Sequence, residues 1–241
     1  MRNLGLIGFG RFGQFIAKYL RSRLHLFVWD LRDQRKKAAS LGLTWATLEE
    51  AASCQTVVLA TPIAEMPTAL GQVAPYLRRR ALLMDVASVK MLPVKWMLDA
   101  APREVDVIGT HPLFGPSSAR SGIKGMPVVL CPARTNHSQR VQDFLTDLGL
   151  RVIVTTPEDH DRQMAQSQAL CHFVAKGLEK LGLTEQELIT PSFEKLMSIV
   201  STLCQDAPEL FHDMQVFNPY TGPMRARYLE ALKKIESQLA E

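Results

Sequence analysis

Apolar residues follow two rhythms along this chain, and the change falls near residue 157. In the first two thirds, short aliphatic and β-branched runs recur at residues 4–8, 24–30, 56–61, 81–87, 105–110, 127–131 and 151–155. Runs of that length predict buried strands. Between most of them lie segments with helical apolar spacing, at 12–21, 32–41 and 66–77. Strands alternating with helices predict βαβ units on a mostly parallel sheet.

After Pro157 the strand runs stop. Phe193, Met197, Val200 and Cys204 form one stripe of a helix, and Tyr228, Leu232, Ile235 and Leu239 repeat that spacing. Residues 159–181 also read as helix, stopped by Gly182. The pattern predicts an α/β domain over residues 1–156 and a small all-helical domain over 157–241. So few helices bury little of their apolar stripes alone. A two-fold dimer through the helical part is expected, because one self-complementary patch then covers itself. A monomer with its helices folded back on the α/β domain is the alternative.

Composition adds exclusions. At 46% hydrophobic and 22% charged over 241 residues, the chain has ample apolar surface to fold. A net charge of +4 is too small to point to nucleic acid. No apolar stretch approaches the roughly 20 residues of a membrane span, and the run that opens the chain is too short for a signal-peptide core. Cys54, Cys131, Cys171 and Cys204 are scattered without a CxxC pair, against a disulfide framework or a zinc knuckle. There is no HExxH and no G-x-S-x-G, so neither a metal site nor a serine nucleophile is expected. A cytoplasmic protein is the expectation.

Gly8-Phe9-Gly10-Arg11-Phe12-Gly13 is a G-x-G-x-x-G loop directly after the first strand and opening the first helix. Gly8 permits the tight turn, Gly10 lets a pyrophosphate approach, and Gly13 allows close helix–strand packing. The second strand ends at Asp30, 17 residues past Gly13, where a carboxylate accepts hydrogen bonds from ribose hydroxyls. The loop, including Arg11 and Phe12, is read as a dinucleotide site; Thr61, which closes the run at 56–61, and Pro62 after it are added to its lining. Asp30 favours NAD. Arg32, Arg35, Lys36 and Lys37 leave NADP open, or are simply a solvated helix face.

Among six histidines, His111 stands out, at a strand's carboxyl end in Thr110-His111-Pro112, where α/β sheets meet their ligands. The following proline restrains its backbone. It suits a proton acceptor in hydride transfer, or a structural loop histidine. Ser88, in Asp85-Val86-Ala87-Ser88-Val89-Lys90, also follows a strand; a helix N-cap is its plain reading. His172, in a helix, reads equally as a core histidine.

These segments together resemble the prephenate/arogenate dehydrogenase family of tyrosine biosynthesis. The matching pieces are the glycine loop, Asp85 to Lys90, Thr110-His111-Pro112-Leu113-Phe114-Gly115-Pro116, and His160 to Phe173, in the family's order over nearly the whole length. The resemblance implies a Rossmann-like domain followed by a helical dimerisation domain. It also implies NAD(P)-dependent oxidative decarboxylation of a cyclohexadienol acid, either arogenate or prephenate. By that resemblance His111 takes the proton of the ring hydroxyl, Ser88 orients His111, and His172 faces the substrate, with Gln168 beside it in the same motif. Where many prephenate-specific members carry an arginine, this chain has Glu194 followed by Lys195. Lys195 is the candidate carboxylate partner, although a lysine lacks the bidentate fork. Asp206 resembles an acidic residue that accompanies the ammonium group of arogenate; a helix N-cap is its other reading. Another two-domain reductase, or a non-catalytic dinucleotide-sensing dimer, stays open beside this reading. The length is expected to leave no room for a fused mutase or regulatory domain.

Overall fold

The computed structural model describes residues 3–183 and 186–240. Met1 and Arg2, which begin the opening segment, and Glu241, which ends the helical one, lie outside them. By contacts the chain divides into two compact units, Met1–Glu158 and Asp159–Glu241.

The first unit is built from β1 (Asn3–Ile7), α1 (Arg11–Leu20), β2 (His25–Trp29), α2 (Arg35–Ser40), β3 (Thr44–Trp45), α3 (Leu48–Ala52), β4 (Thr56–Leu59), α4 (Met66–Val73), β5 (Leu82–Asp85), α5 (Met91–Ala100), β6 (Asp106–Pro112), β7 (Pro127–Arg134), α6 (Ser138–Asp147) and β8 (Arg151–Val154). Its eight strands form one sheet in the order β3-β2-β1-β4-β5-β6-β7-β8. The pairs from β3 through β6 are parallel. β7 runs antiparallel to β6, and β8 parallel to β7. The sheet is therefore mostly parallel, as the alternation predicts. The turn of direction comes where residues 113–126 link β6 to β7 without a crossover helix, which an antiparallel pair does not need.

The central strands are buried on both faces, which is why they read as continuous aliphatic runs. Leu6, Ile7, Val57, Leu83, Val107 and Ile108 have essentially no exposure. Two helices are shorter than their spacing suggests. α2 starts at Arg35 because Asp30 and Asp33 accept the backbone N–H groups of Arg32 and Arg35, folding that stretch into turns. α4 gives way at Val73 to a 3-10 turn, Ala74–Tyr76, that holds Pro75.

The second unit begins within one long helical stretch: α7 (Pro157–Met164), a π-helical turn over Ala165–Ala169, and α8 (Leu170–Lys180). Gly182, at φ +61°, ends it. α9 (Pro191–Cys204), α10 (Pro208–Phe217) and α11 (Thr221–Leu239) follow. A π turn disturbs the helical hydrogen-bond ladder, and buried side chains brace it. Gln215 Nε2 donates to the Ala169 carbonyl at 2.7 Å, and Asn218 Nδ2 to that of Asp161 at 2.7 Å. His160 Nδ1 lies 2.7 Å from Asp161 Oδ1, both wholly buried. No described helix is long and apolar enough to cross a membrane.

Candidate active site

β1 delivers the chain to Gly8 at φ +97°, a conformation suited to glycine. A Cβ on Gly8 would stand 2.6 Å from the Ala60 carbonyl, and one on Gly13 would stand 2.3 Å from the Gly8 carbonyl oxygen. Both glycines are thus fixed by backbone packing. Gly10 differs: a Cβ there would meet nothing within 4 Å, so the loop is open at the residue that caps α1. Gly10, in the cap position of α1, offers no side-chain cap of its own; helix N-termini attract anions. Arg11 is exposed and Phe12 half-buried beside them.

Asp30 holds this loop from the end of β2. Its Oδ2 accepts the Phe9 N–H at 2.6 Å and its Oδ1 that of Arg32 at 2.9 Å. Each oxygen keeps a lone pair for a further donor. Gln14 and Gln34 both donate to the Phe9 carbonyl, at 2.8 and 3.1 Å, and are bonded to each other. Sequence reading missed these two glutamines, since nothing local marks a side chain whose partner is a loop carbonyl. Arg32, Arg35, Lys36 and Lys37 are exposed, and Arg35 pairs with Asp33.

Thr61 follows β4, and Pro62 caps the 3-10 turn Ile63–Glu65. The Thr61 nitrogen is 2.9 Å from where a Gly8 Cβ would be, so this segment borders the glycine turn. Thr61 Oγ1 is buried with no hydrogen-bond partner among the described residues. An open glycine at a helix N-terminus and an orphaned buried hydroxyl together fit a dinucleotide's phosphates and ribose.

After β5 and in β6, the next two strands of the sheet, Ser88 and His111 are 5% and 4% exposed. Ser88 does not cap α5, because that helix starts at Met91 with Lys90 in the cap position. Its Oγ is buried without a hydrogen-bond partner among the described residues, so it is not bonded to His111 in this state. His111 lies within β6 opposite Val129 of β7. Beneath both residues is a buried ion pair that sequence reading left without a role. Lys90 Nζ donates to Asp85 Oδ2, and both side chains have zero exposure. Lys90 also donates to the Thr110 carbonyl at 2.7 Å. Asp85 accepts the N–H groups of Ala87 at 2.9 Å and Thr110 at 3.2 Å. The Thr110 hydroxyl returns a bond to the Asp85 carbonyl.

In the second unit His172, 5% exposed on α8, has its Nε2 3.9 Å from Asp206 Oδ2. Asp206 is not a helix cap, since α10 starts at Pro208 with Ala207 in that place. Gln168 lies in the π turn, with its Oε1 buried and unpartnered among the described residues. Lys195 is exposed on α9, and among the described residues no hydrogen bond or ion pair ties it to those three. Burial pushes the His172 pKa below its ordinary 6.5, with Asp206 opposing and Lys176 reinforcing the shift. The ring is therefore neutral at pH 7. Its unfolded form takes up a proton at higher pH than its folded form, so this contribution is full above 6.5 and is lost as pH falls. Thermal melts from pH 7 down to 5 should therefore fall less steeply in His172→Gln; equal slopes would refute this assignment.

A family model described as "Prephenate dehydrogenase, nucleotide-binding domain" matches residues 16–154, and one described as "TYRAAT1-like, C-terminal domain" matches residues 177–241. A protein of Methanocaldococcus jannaschii named "Probable arogenate/prephenate dehydrogenase" is 32% identical over 92% of this chain and 53% of its own length. "Arogenate dehydrogenase 1, chloroplastic" of Arabidopsis thaliana is 29% identical over 98% of this chain and 39% of its own. The chain thus spans about half, or less, of the length of these two relatives. Among solved structures, prephenate dehydrogenase from A. aeolicus, in complex with hydroxyphenyl propionate and NAD+, superposes with a TM-score of 0.80 at 20% identity. That match covers 100% of this chain and 91% of the other, and it shows a shared fold. With its nucleotide-binding part matched from Ile16 to Val154, the chain belongs to the prephenate dehydrogenase family.

Proposed function

We propose that the protein oxidises and decarboxylates a cyclohexadienol acid with a nicotinamide cofactor, turning arogenate into tyrosine or prephenate into 4-hydroxyphenylpyruvate. One observation carries this reading. Gly8, Thr61, Ser88 and His111 stand at or just past the carboxyl ends of β1, β4, β5 and β6, which are adjacent and parallel. That edge is where such sheets take their ligands. The relatives' names support the substrate class.

Residues 1–156 are assigned to dinucleotide binding and residues 157–241 to substrate binding and dimerisation. Gly8, Gly10, Gly13, Arg11, Phe12, Thr61 and Pro62 would hold the cofactor's phosphates and ribose, and Asp30 its adenosine ribose. The Asp30 carboxylate would repel a 2′-phosphate, which favours NAD over NADP. When bound, the nicotinamide supplies a hydride acceptor for the hydroxyl-bearing ring carbon. His111 accepts the hydroxyl proton as the C–O bond becomes C=O. The electron pair of the broken C–carboxylate bond completes an aromatic ring, carbon dioxide leaves, and His111 returns the proton to the phenolic oxygen. The unpartnered hydroxyl of Ser88 is available to orient the His111 ring once ligands are in place.

Gln168, His172, Lys195 and Asp206 are assigned to the substrate. Asp206 and a neutral His172 favour an ammonium group over a keto group, which would leave a carboxylate short of a partner. Asp206→Asn should move kcat/KM from arogenate towards prephenate by about tenfold or more, the effect of roughly one charge-assisted hydrogen bond. An unchanged ratio removes Asp206 from specificity.

Apolar side chains left exposed on α9 and α11, Leu196, Ile199, Leu232, Ile235 and Leu239 among them, support a homodimer. Sedimentation equilibrium would refute it by returning a monomer mass. Four free cysteines suit a reducing compartment such as the cytoplasm. The reaction itself is tested by adding NAD and either substrate and following the absorbance of reduced nicotinamide. No rise with either acid would overturn the proposal.

A further inference from the structure

We propose that the buried Asp85–Lys90 pair is a positioning device that fixes the backbone carrying Ser88 and the backbone carrying His111 as one unit. This rests on the dehydrogenase reading above and adds to it a role for two residues that never touch the ligands.

The parallel ladder between β5 and β6 ends at Met84 and Ile108. Beyond that point the strands no longer pair in register, and side chains take over. Asp85 accepts the Thr110 N–H, the Thr110 hydroxyl donates to the Asp85 carbonyl, and Lys90 donates to the Thr110 carbonyl. The two peptide groups flanking Thr110 are thereby held, and the second of them carries the nitrogen of His111. The same Asp85 carboxylate accepts the Ala87 N–H and so ties the turn leading into Ser88. One carboxylate thus serves both segments.

The sequence makes room for this arrangement. Gly109 and His111 share a sheet face by strand alternation, and at Gly109 a Cβ would stand 2.6 Å from Val94 and 3.1 Å from Lys90 Cδ. The lysine stem occupies the space that a side chain at 109 would need. A fully buried pair is a poor source of stability in itself, because desolvation offsets the attraction; fixing geometry is the better account. Because the pair is net neutral, it also adds no charge beside His111. Opposite His111, β7 places Val129 on the same sheet face, and the Lys95–Asp99 pair on α5 is exposed.

The test uses Asp85→Asn/Lys90→Met, which leaves no unpaired charge, alone and combined with His111→Asn. The expected result is unchanged NAD binding, kcat lowered at least tenfold, and KM for the acid changed less than threefold. Added to His111→Asn, the double change should lower kcat no further, because it acts through that histidine. A wild-type kcat, or losses that multiply, would overturn the proposal. Should the double variant not fold, Thr110→Val removes only the hydroxyl tie and should show the same split at two- to fivefold. A separate readout needs no cofactor or substrate: the NMR titration of the His111 ring. Its midpoint should rise in Lys90→Met, where Asp85 is left unpaired, and return in the double variant. An unmoved midpoint counts against the device even if the wild type turns over neither acid, whereas inactivity of the wild type alone counts against the dehydrogenase reading.

Discussion

His111→Asn should bind NAD as the wild type does and lose about 10²–10⁴ in kcat, the range for removing a positioned general base. The asparagine keeps the approximate size and a hydrogen-bonding group, so β6 and its pairing with β7 should persist. What it lacks is a group that takes a proton near neutral pH. The loss should appear in kcat more than in KM, since the transfer is made in the transition state. Near-normal turnover would remove His111 from the chemistry and leave it a loop histidine. Its proline neighbour and its 4% exposure make it a restrained, desolvated ring, which suits a base that must meet one hydroxyl in one orientation.

The second large effect is on stability. Lys90→Met strands the Asp85 carboxylate, with zero exposure, without its cation. Breaking one side of such a pair costs about 3–5 kcal/mol, a fall in Tm on the order of 10 °C for a chain of this size. Adding Asp85→Asn should restore part of that loss despite being a second substitution. The restoration is incomplete: the amide cannot accept both N–H groups that the carboxylate accepts, and one unmet buried donor costs about 1–3 kcal/mol. Paired thermal melts check this. A double variant less stable than Lys90→Met would refute the unpaired-charge account.

Much of this architecture is legible in the residues because burial writes itself into composition. Strands covered on both faces read as unbroken aliphatic runs, and the glycine loop is marked by three positions, two of which backbone packing enforces. β3 escaped because two residues, Thr44–Trp45, make no pattern. The reversed direction of β7 escaped because an aliphatic run specifies a strand and not its sense. The π turn is hidden within residues 159–181 because one extra residue in a turn barely disturbs a helical stripe.

The site divides along the same line. Histidine, serine and glycine at strand ends announce themselves by position. Gln14, Gln34, Gln215 and Asn218 do not, because their partners are backbone carbonyls distant in sequence or set by the fold. Asp85 and Lys90 stand in a segment on which the resemblance rests, yet their role appears only when Thr110, 20 residues past Lys90, closes the arrangement. Asp206 gains weight for a similar reason: the structure removes its alternative as a cap and leaves it beside His172.

The most direct test follows both products of one turnover. With NAD and arogenate or prephenate labelled in the ring carboxylate, reduced cofactor and labelled carbon dioxide are measured together in wild type and His111→Asn. The account predicts that the two form in equal amounts in the wild type and fall together in the variant. Reduced cofactor without carbon dioxide, or equal rates in wild type and variant, would contradict it.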